Sequence, residues 1–168
     1  RSYSSAASDV YKRQVMMKRT DGEADLRGGG TSSARMTAPL VAVAAVVGGW
    51  LKQHGVQVEA HLGAVGDVEA APMSDCPPRW ANETCQQLRC RDPTAAERRA
   101  GLIDRTRRER NSIGSRVDLR VSGLPLGLGE PWFDGLEPAM ARAMMAIPAA
   151  RGVEFGHGFA VQTMHGLS

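Results

Sequence analysis

At Gly55 the period of the apolar residues changes from helical to alternating, and that change constrains the fold. From about Ser33 to His54, Leu40, Ala44, Val47 and Leu51 recur at helical spacing, with Val43, Val46 and Trp50 beside them. The Ala-rich composition favours a helix. Pro39 lies in its N-terminal turns, where the missing N–H does least harm, and Gly55 suits its C-cap. Beyond Gly55 the period drops to two: Val56, Val58 and Ala60 alternate with Gln57, Glu59 and His61, which predicts a half-buried strand to about Val65.

From Gly66 to Asp92 the pattern is least regular. Pro72, Pro77 and Pro78 punctuate it, Pro93 follows it, and Cys76, Cys85 and Cys90 all fall inside it. A loop or insertion at about 66–92 is expected, with a short helical turn. Asn82-Glu83-Thr84 matches a glycosylation sequon, which is read as chance because nothing points to secretion. Thr94 to Arg110 is strongly charged, with Leu102, Ile103 and Thr106 as a thin apolar seam and capping-box spacing from Thr94 to Glu97. Its six arginines are read as the solvated face of a surface helix. Val117, Leu119 and Val121 alternate with Arg116, Asp118 and Arg120, giving a second strand. Leu124 to Pro131 is a glycine-proline loop. Phe133 to Ile147 is amphipathic, with Leu136, Met140, Ala143, Met144 and Ile147 on one side, its methionines acting as core filler. A final strand is expected over Val153 to Phe155, leading through Gly156-His157-Gly158 to Phe159 and Val161. Helix, strand, loop, helix, strand, helix, strand is the order of an α/β or α+β layered domain without internal repeats.

The 168 residues suffice for one domain with an ordinary core. The formal charge of +3, without a long Lys/Arg block, suits anionic small molecules at least as well as nucleic acid. Nucleic-acid binding by the Arg98–Arg110 helix is disfavoured because no aromatic residues interleave with its charge. The three cysteines, spaced by nine and five, fit neither a disulfide framework nor a zinc knuckle, so free thiols in a reducing cytoplasm and no metal are expected. No apolar run is expected to reach the ~20 residues that span a bilayer, and Leu40 to Leu51 is too short. The polar, aperiodic residues 1–14 are read as a sequencing or assembly scar, with residues 15–168 as one partial domain lacking native sequence at both ends.

Asp25 to Thr37, DLRGGGTSSARMT, carries the clearest chemistry. Glycines allow tight turns whose N–H groups converge on an anion, and hydroxyls at a helix start cap N–H groups that attract negative charge. Arg35 adds a planar cation suited to phosphate or carboxylate. The same residues also suit a flexible glycine turn followed by an ordinary N-cap.

This stretch resembles the signature D-x-R-x-G-G-R-S-S-A-R-E-T of the chorismate synthases, here Asp25, Arg27, Gly28 to Gly30 and Thr31-Ser32-Ser33-Ala34-Arg35-Met36-Thr37. Two further family blocks follow in order. One is Asn111-Ser112-Ile113-Gly114 with Ser122 to Asp134 (SGLPLGLGEPWFD), and the other is Ala143 to Ala149 with Gly152-Val153-Glu154-Phe155-Gly156. The resemblance covers nearly all of Asp25 to Ser168. It implies an α+β fold, with layered helices packed on a mixed or antiparallel sheet. It also implies the anti-1,4-elimination of phosphate from 5-enolpyruvylshikimate 3-phosphate to give chorismate, with reduced FMN. NADPH would serve as reductant if the parent enzyme is bifunctional. A cytoplasmic homotetramer acting on a small phosphorylated substrate, with no nucleic acid or membrane partner, completes the implied picture.

Carried over residue by residue, the flavin contact falls on Thr31, Ser32 and Ser33, and the substrate contact on Ala34 and Arg35. Asp25 and Arg27 occupy signature positions without an assigned role. Thr31 stands where the family has Arg, and Met36 where it has Glu. The family's N-terminal G-x-S-H-G segment, its second catalytic histidine and its C-terminal R-x-D-P segment have no match, so the catalytic residues are unknown and the chain alone is expected to be inactive. His54, His61, His157 and His165 match no family histidine, and His157 is read as a loop residue rather than an acid/base. A non-catalytic relative that keeps the scaffold and binds an anion or a partner is the alternative that Thr31 and Met36 favour.

Overall fold

The computed structural model describes residues 14–15, 17–22 and 34–166. In chain order a 3-10 turn (Ala34–Met36) leads into α1 (Thr37–Gln53), followed by β1 (Gln57–Val65), β2 (Val68–Glu69), α2 (Glu83–Leu88), α3 (Pro93–Arg108), β3 (Ser115–Ser122) and α4 (Leu136–Met145). Further 3-10 turns cover Trp132–Asp134 and Gly158–Thr163. The class is α+β. Two compact units divide the chain, one of residues 50–124 and the other of residues 125–168 with those before 50.

In the 50–124 unit the sheet is antiparallel, in the order β2-β1-β3. The register opposes Val58 to Val121, Ala60 to Leu119 and His61 to Asp118, and slips between Leu62 and Ala64. Directly opposed residues share a face, so Glu59 and His61 lie on one side with Arg120 and Asp118. Gly55 takes φ +80 as the expected turn and donates its N–H to Lys52 O (3.1 Å), which lets the chain reverse from α1 into β1. The irregular stretch after β1 holds more order than a loop: β2 pairs with the end of β1, and α2 begins at Asn82, whose side chain accepts from Cys85 N (2.8 Å).

The core of this unit is small. Val68, Cys85, Cys90, Ala95 and Ala96 are buried together, with Leu62, Ala70, Trp80, Leu88 and Leu102 against them. All three cysteines are free, as their spacing implies. Burial pushes the Cys90 and Cys76 thiols above their ordinary values, which keeps them protonated and unreactive.

α3 starts two residues earlier than its capping-box spacing suggests. Asp92, not Thr94, is the N-cap, its carboxylate accepting from Ala95 N (3.0 Å), with Pro93 in the first turn. The second Asp92 oxygen accepts from Ala71 N (3.0 Å), tying the loop to the helix start. The bonds from Ala71 and Ala95 hold this carboxyl below the usual Asp range. Asp92→Ala is expected to cost about 1–2 kcal/mol, the loss of a cap and one further bond, read as a lower urea midpoint. Because the folded carboxyl is the stronger acid, its contribution is complete above 3.8 and fades as pH falls through the folded value.

In the other unit the final strand expected over Val153 to Phe155 does not form. Among the described residues no strand pairs with it, and Gly156 and Gly158 turn the chain at φ +57 and +54 into the last 3-10 turn. Leu40, Val41, Val43, Val46 and Val47 of α1 are exposed, and Leu51 is half-buried. The expectation that no run reaches spanning length is not met either. Helical backbone runs unbroken over Ala34–Gln53, 20 residues of mean hydropathy 1.5, long and apolar enough to cross a membrane by length and composition. Ala34, Met36, Ala38 and Pro39 extend the run ahead of the Leu40–Leu51 segment. Core helices of soluble proteins reach the same length and hydropathy.

Candidate functional site

The 3-10 turn places Ala34 and Arg35 on the surface immediately ahead of α1, and Thr37 Oγ1 closes the turn by donating to Ala34 O (2.7 Å). No acidic residue lies in the first turn of the 3-10 segment or of α1. Thr31, Ser32 and Ser33, like Asp25, Arg27 and the three glycines, lie outside the described residues. Of the expected anion cradle, the structure thus describes its final two positions.

The Leu124–Pro131 loop has the tight-turn architecture its composition implies. Gly127 and Gly129 take φ +79 and +94, and Glu130 N donates to Asp134 O (3.0 Å). Trp132 adopts φ +68 and is 84% exposed. His157 is exposed and opens the last 3-10 turn without a side-chain cap bond. His54 is structural: its Nδ1 lies 2.9 Å from Trp50 O, and its ring centroid is 4.2 Å from that of Trp50.

Two polar residues in the 50–124 unit are fully buried, against the expectation for both. Arg99, assigned by its charged neighbours to a solvated face, is 0% exposed. Its Nε and Nη2 donate to Val68 O (3.2 and 3.1 Å), Nη2 to Gly63 O (2.6 Å), and Nη1 to Leu62 O and Cys90 Sγ (3.0 Å). Its partners among the described residues are carbonyls and a thiol, so the guanidinium ties α3 to the hairpin of β1 and β2. The signal was present in the sequence, since Arg99 lies three and four residues from Ala96 and Ala95 and three before Leu102. His61 is 1% exposed, and among the described residues neither ring nitrogen has a hydrogen-bond partner.

Around them runs a chain of ion pairs. Glu59 accepts from Arg91 (2.8 Å) and from Arg120 (2.6 and 3.1 Å), and the Arg120 and then the Arg91 bonds hold its carboxyl below the usual range. Asp118 accepts from Arg116 Nε (2.8 Å), while Arg116 Nη1 reaches Glu69 (3.3 Å). Gly63 makes room for this carboxylate, because a Cβ there would collide with it. No group of three potential metal-ligating side chains occurs among the described residues.

A family model for chorismate synthase matches residues 12–168. Among curated proteins, chorismate synthase of Aeropyrum pernix is 43% identical over 157 residues, covering 90% of this chain and 40% of that protein. Chorismate synthase of Burkholderia pseudomallei is 40% identical over 146 residues, covering 86% of this chain and 38% of that protein. A crystal structure of chorismate synthase superposes with a TM-score of 0.76 at 27% identity, covering 92% of this chain and 49% of that one. The chain therefore spans about two fifths of the length of these curated relatives.

Proposed function

The chain belongs to the chorismate synthase family, and we propose that it supplies that enzyme's anion-binding start of α1. The proposed reaction is the anti-1,4-elimination of phosphate from 5-enolpyruvylshikimate 3-phosphate to chorismate, in aromatic amino acid biosynthesis. The observation that carries the reading is the position of Arg35, exposed in the turn before α1 at the end of the family's signature. The donor set fits a phosphorylated flavin and substrate: glycine N–H groups, three hydroxyls and a guanidinium. Bound in reduced form, FMN supplies transient electron density to the substrate without net redox change.

Thr31, Ser32 and Ser33 are proposed to hold the flavin. Arg35, with Ala34 giving close approach, is proposed to pair with a substrate anion and orient it before the leaving phosphate develops charge. Thr31 offers a hydroxyl where the family has a cation, which leaves flavin affinity to the neighbouring serines. The homotetramer, cytoplasmic location and NADPH as reductant are inferences from the family resemblance.

The test is phosphate release with reduced FMN and 5-enolpyruvylshikimate 3-phosphate. The 168-residue chain alone is expected to give no turnover, and the chain joined to the segments its curated relatives add is expected to give chorismate. In the joined protein Arg35→Ala is expected to raise KM about tenfold to a hundredfold, the worth of a hydrogen bond to a charged group. A joined, folded protein without turnover, or an R35A variant with unchanged KM, would overturn the reading.

A further inference from the structure

His61 sits across from Asp118 in the β1–β3 register, with its Nε2 3.6 Å from Asp118 Oδ2. That carboxylate is already committed to Arg116. The other charged groups around the ring are Glu59 from β1, Arg120 from β3, Arg91 from the segment before α3, and Arg99 from α3 itself. Glu59 is shared between Arg91 and Arg120. A proton on His61 would therefore place a cation in a dry site among guanidiniums, facing one carboxylate that already serves another partner. Among the described residues β3 lies at one edge of the sheet, and its residues are exposed or half-buried, so its outer side is not packed under other elements.

We propose that proton uptake by His61 opens the pairing of β3 on β1, making the sheet a pH-responsive latch. Burial, opposed in part by Asp118, lowers the basicity of the closed imidazole. In the open strand the ring regains its ordinary value of 6.5. Below that pH the open form binds more protons than the closed form, so the opening constant rises as pH falls, by up to about tenfold per pH unit. Above it the two forms hold the same protons and opening is independent of pH.

Amide hydrogen exchange of the 168-residue chain between pH 7.5 and 5.5, corrected for intrinsic rates and read by NMR, tests the latch. The opening constant of β3 amides is expected to be flat to about 6.5 and then to rise toward tenfold per unit, while α3 amides do not follow. His61→Phe is expected to flatten the profile. His61→Gln is the second variant should the aromatic one not fold. Asp118→Asn, by removing the charge that favours the closed imidazolium, is expected to carry the rise to lower pH. A flat wild-type profile, an undiminished rise in H61Q, or a wild-type imidazole that titrates at or above 6.5 would overturn the proposal.

Discussion

Arg99→Met is expected to lower the unfolding free energy by about 3–5 kcal/mol, read from the urea midpoint of the 168-residue chain. Methionine roughly fills the volume but donates no hydrogen bond, so the cost is set by what the guanidinium leaves behind. Gly63 O keeps the Ala70 N–H (2.9 Å), whereas Leu62 O and Val68 O lose their Arg99 donors at the centre of the unit. Each buried acceptor left without its donor costs about 1–3 kcal/mol, and two of them together account for the expected loss. Arg99→Lys keeps the charge but loses the planar fork, since an ammonium cannot span carbonyls on both β1 and β2. It is expected to fall between wild type and methionine. An R99M variant as stable as wild type would show that these carbonyls find water at no cost.

Gly123→Ala is expected to cost about 2–5 kcal/mol, the second largest effect. Gly123 has φ +75, and a Cβ there would run into the carbonyl of Gly55. The left-handed backbone costs a non-glycine residue about 1–2 kcal/mol, and the overlap with main chain adds about 1–3. The contact closes the far end of the β1–β3 ladder, where Gln57 opposes Ser122, so neither chain can retreat without breaking the register. Gly55→Ala is the internal control: it has φ +80, with nothing within 4 Å of its virtual Cβ. It should show the backbone cost alone, as a melting temperature between those of wild type and G123A. Equal losses in the two variants would remove the clash from the account.

The sequence made α1, β1, α3 and β3 legible because each carries an uninterrupted period of 3.6 or 2 over several turns or pairs. β2 escaped because two residues hold no period, and the Val153–Phe155 strand was expected because alternation over three residues looks like pairing without any partner to pair with. His61 was assigned to the polar phase of β1 with Gln57 and Glu59. The slip at Leu62/Ala64, and packing on both sides of the strand's second half, bury it regardless of phase. Arg99 was masked by Arg98, Arg105, Arg107 and Arg108, whose charge hid its place on the Ala95–Leu102 seam. At the site, Arg35 was found from sequence because a guanidinium after a glycine-hydroxyl run has a chemical reason to be there.

The antiparallel ladder between β1 and β3 also dictates an order of assembly. As the polypeptide is synthesised, β1 emerges long before its main partner, while α2 and α3 fold on local contacts. Until Ser115–Ser122 arrives, one edge of β1 presents unpaired N–H and C=O groups, and closing that loop carries an entropy cost that only the finished ladder offsets. Arg99 comes off the ribosome in between. Its grip on the carbonyls of Leu62, Gly63 and Val68 can hold β1 and the short β2 hairpin in shape while the wait lasts.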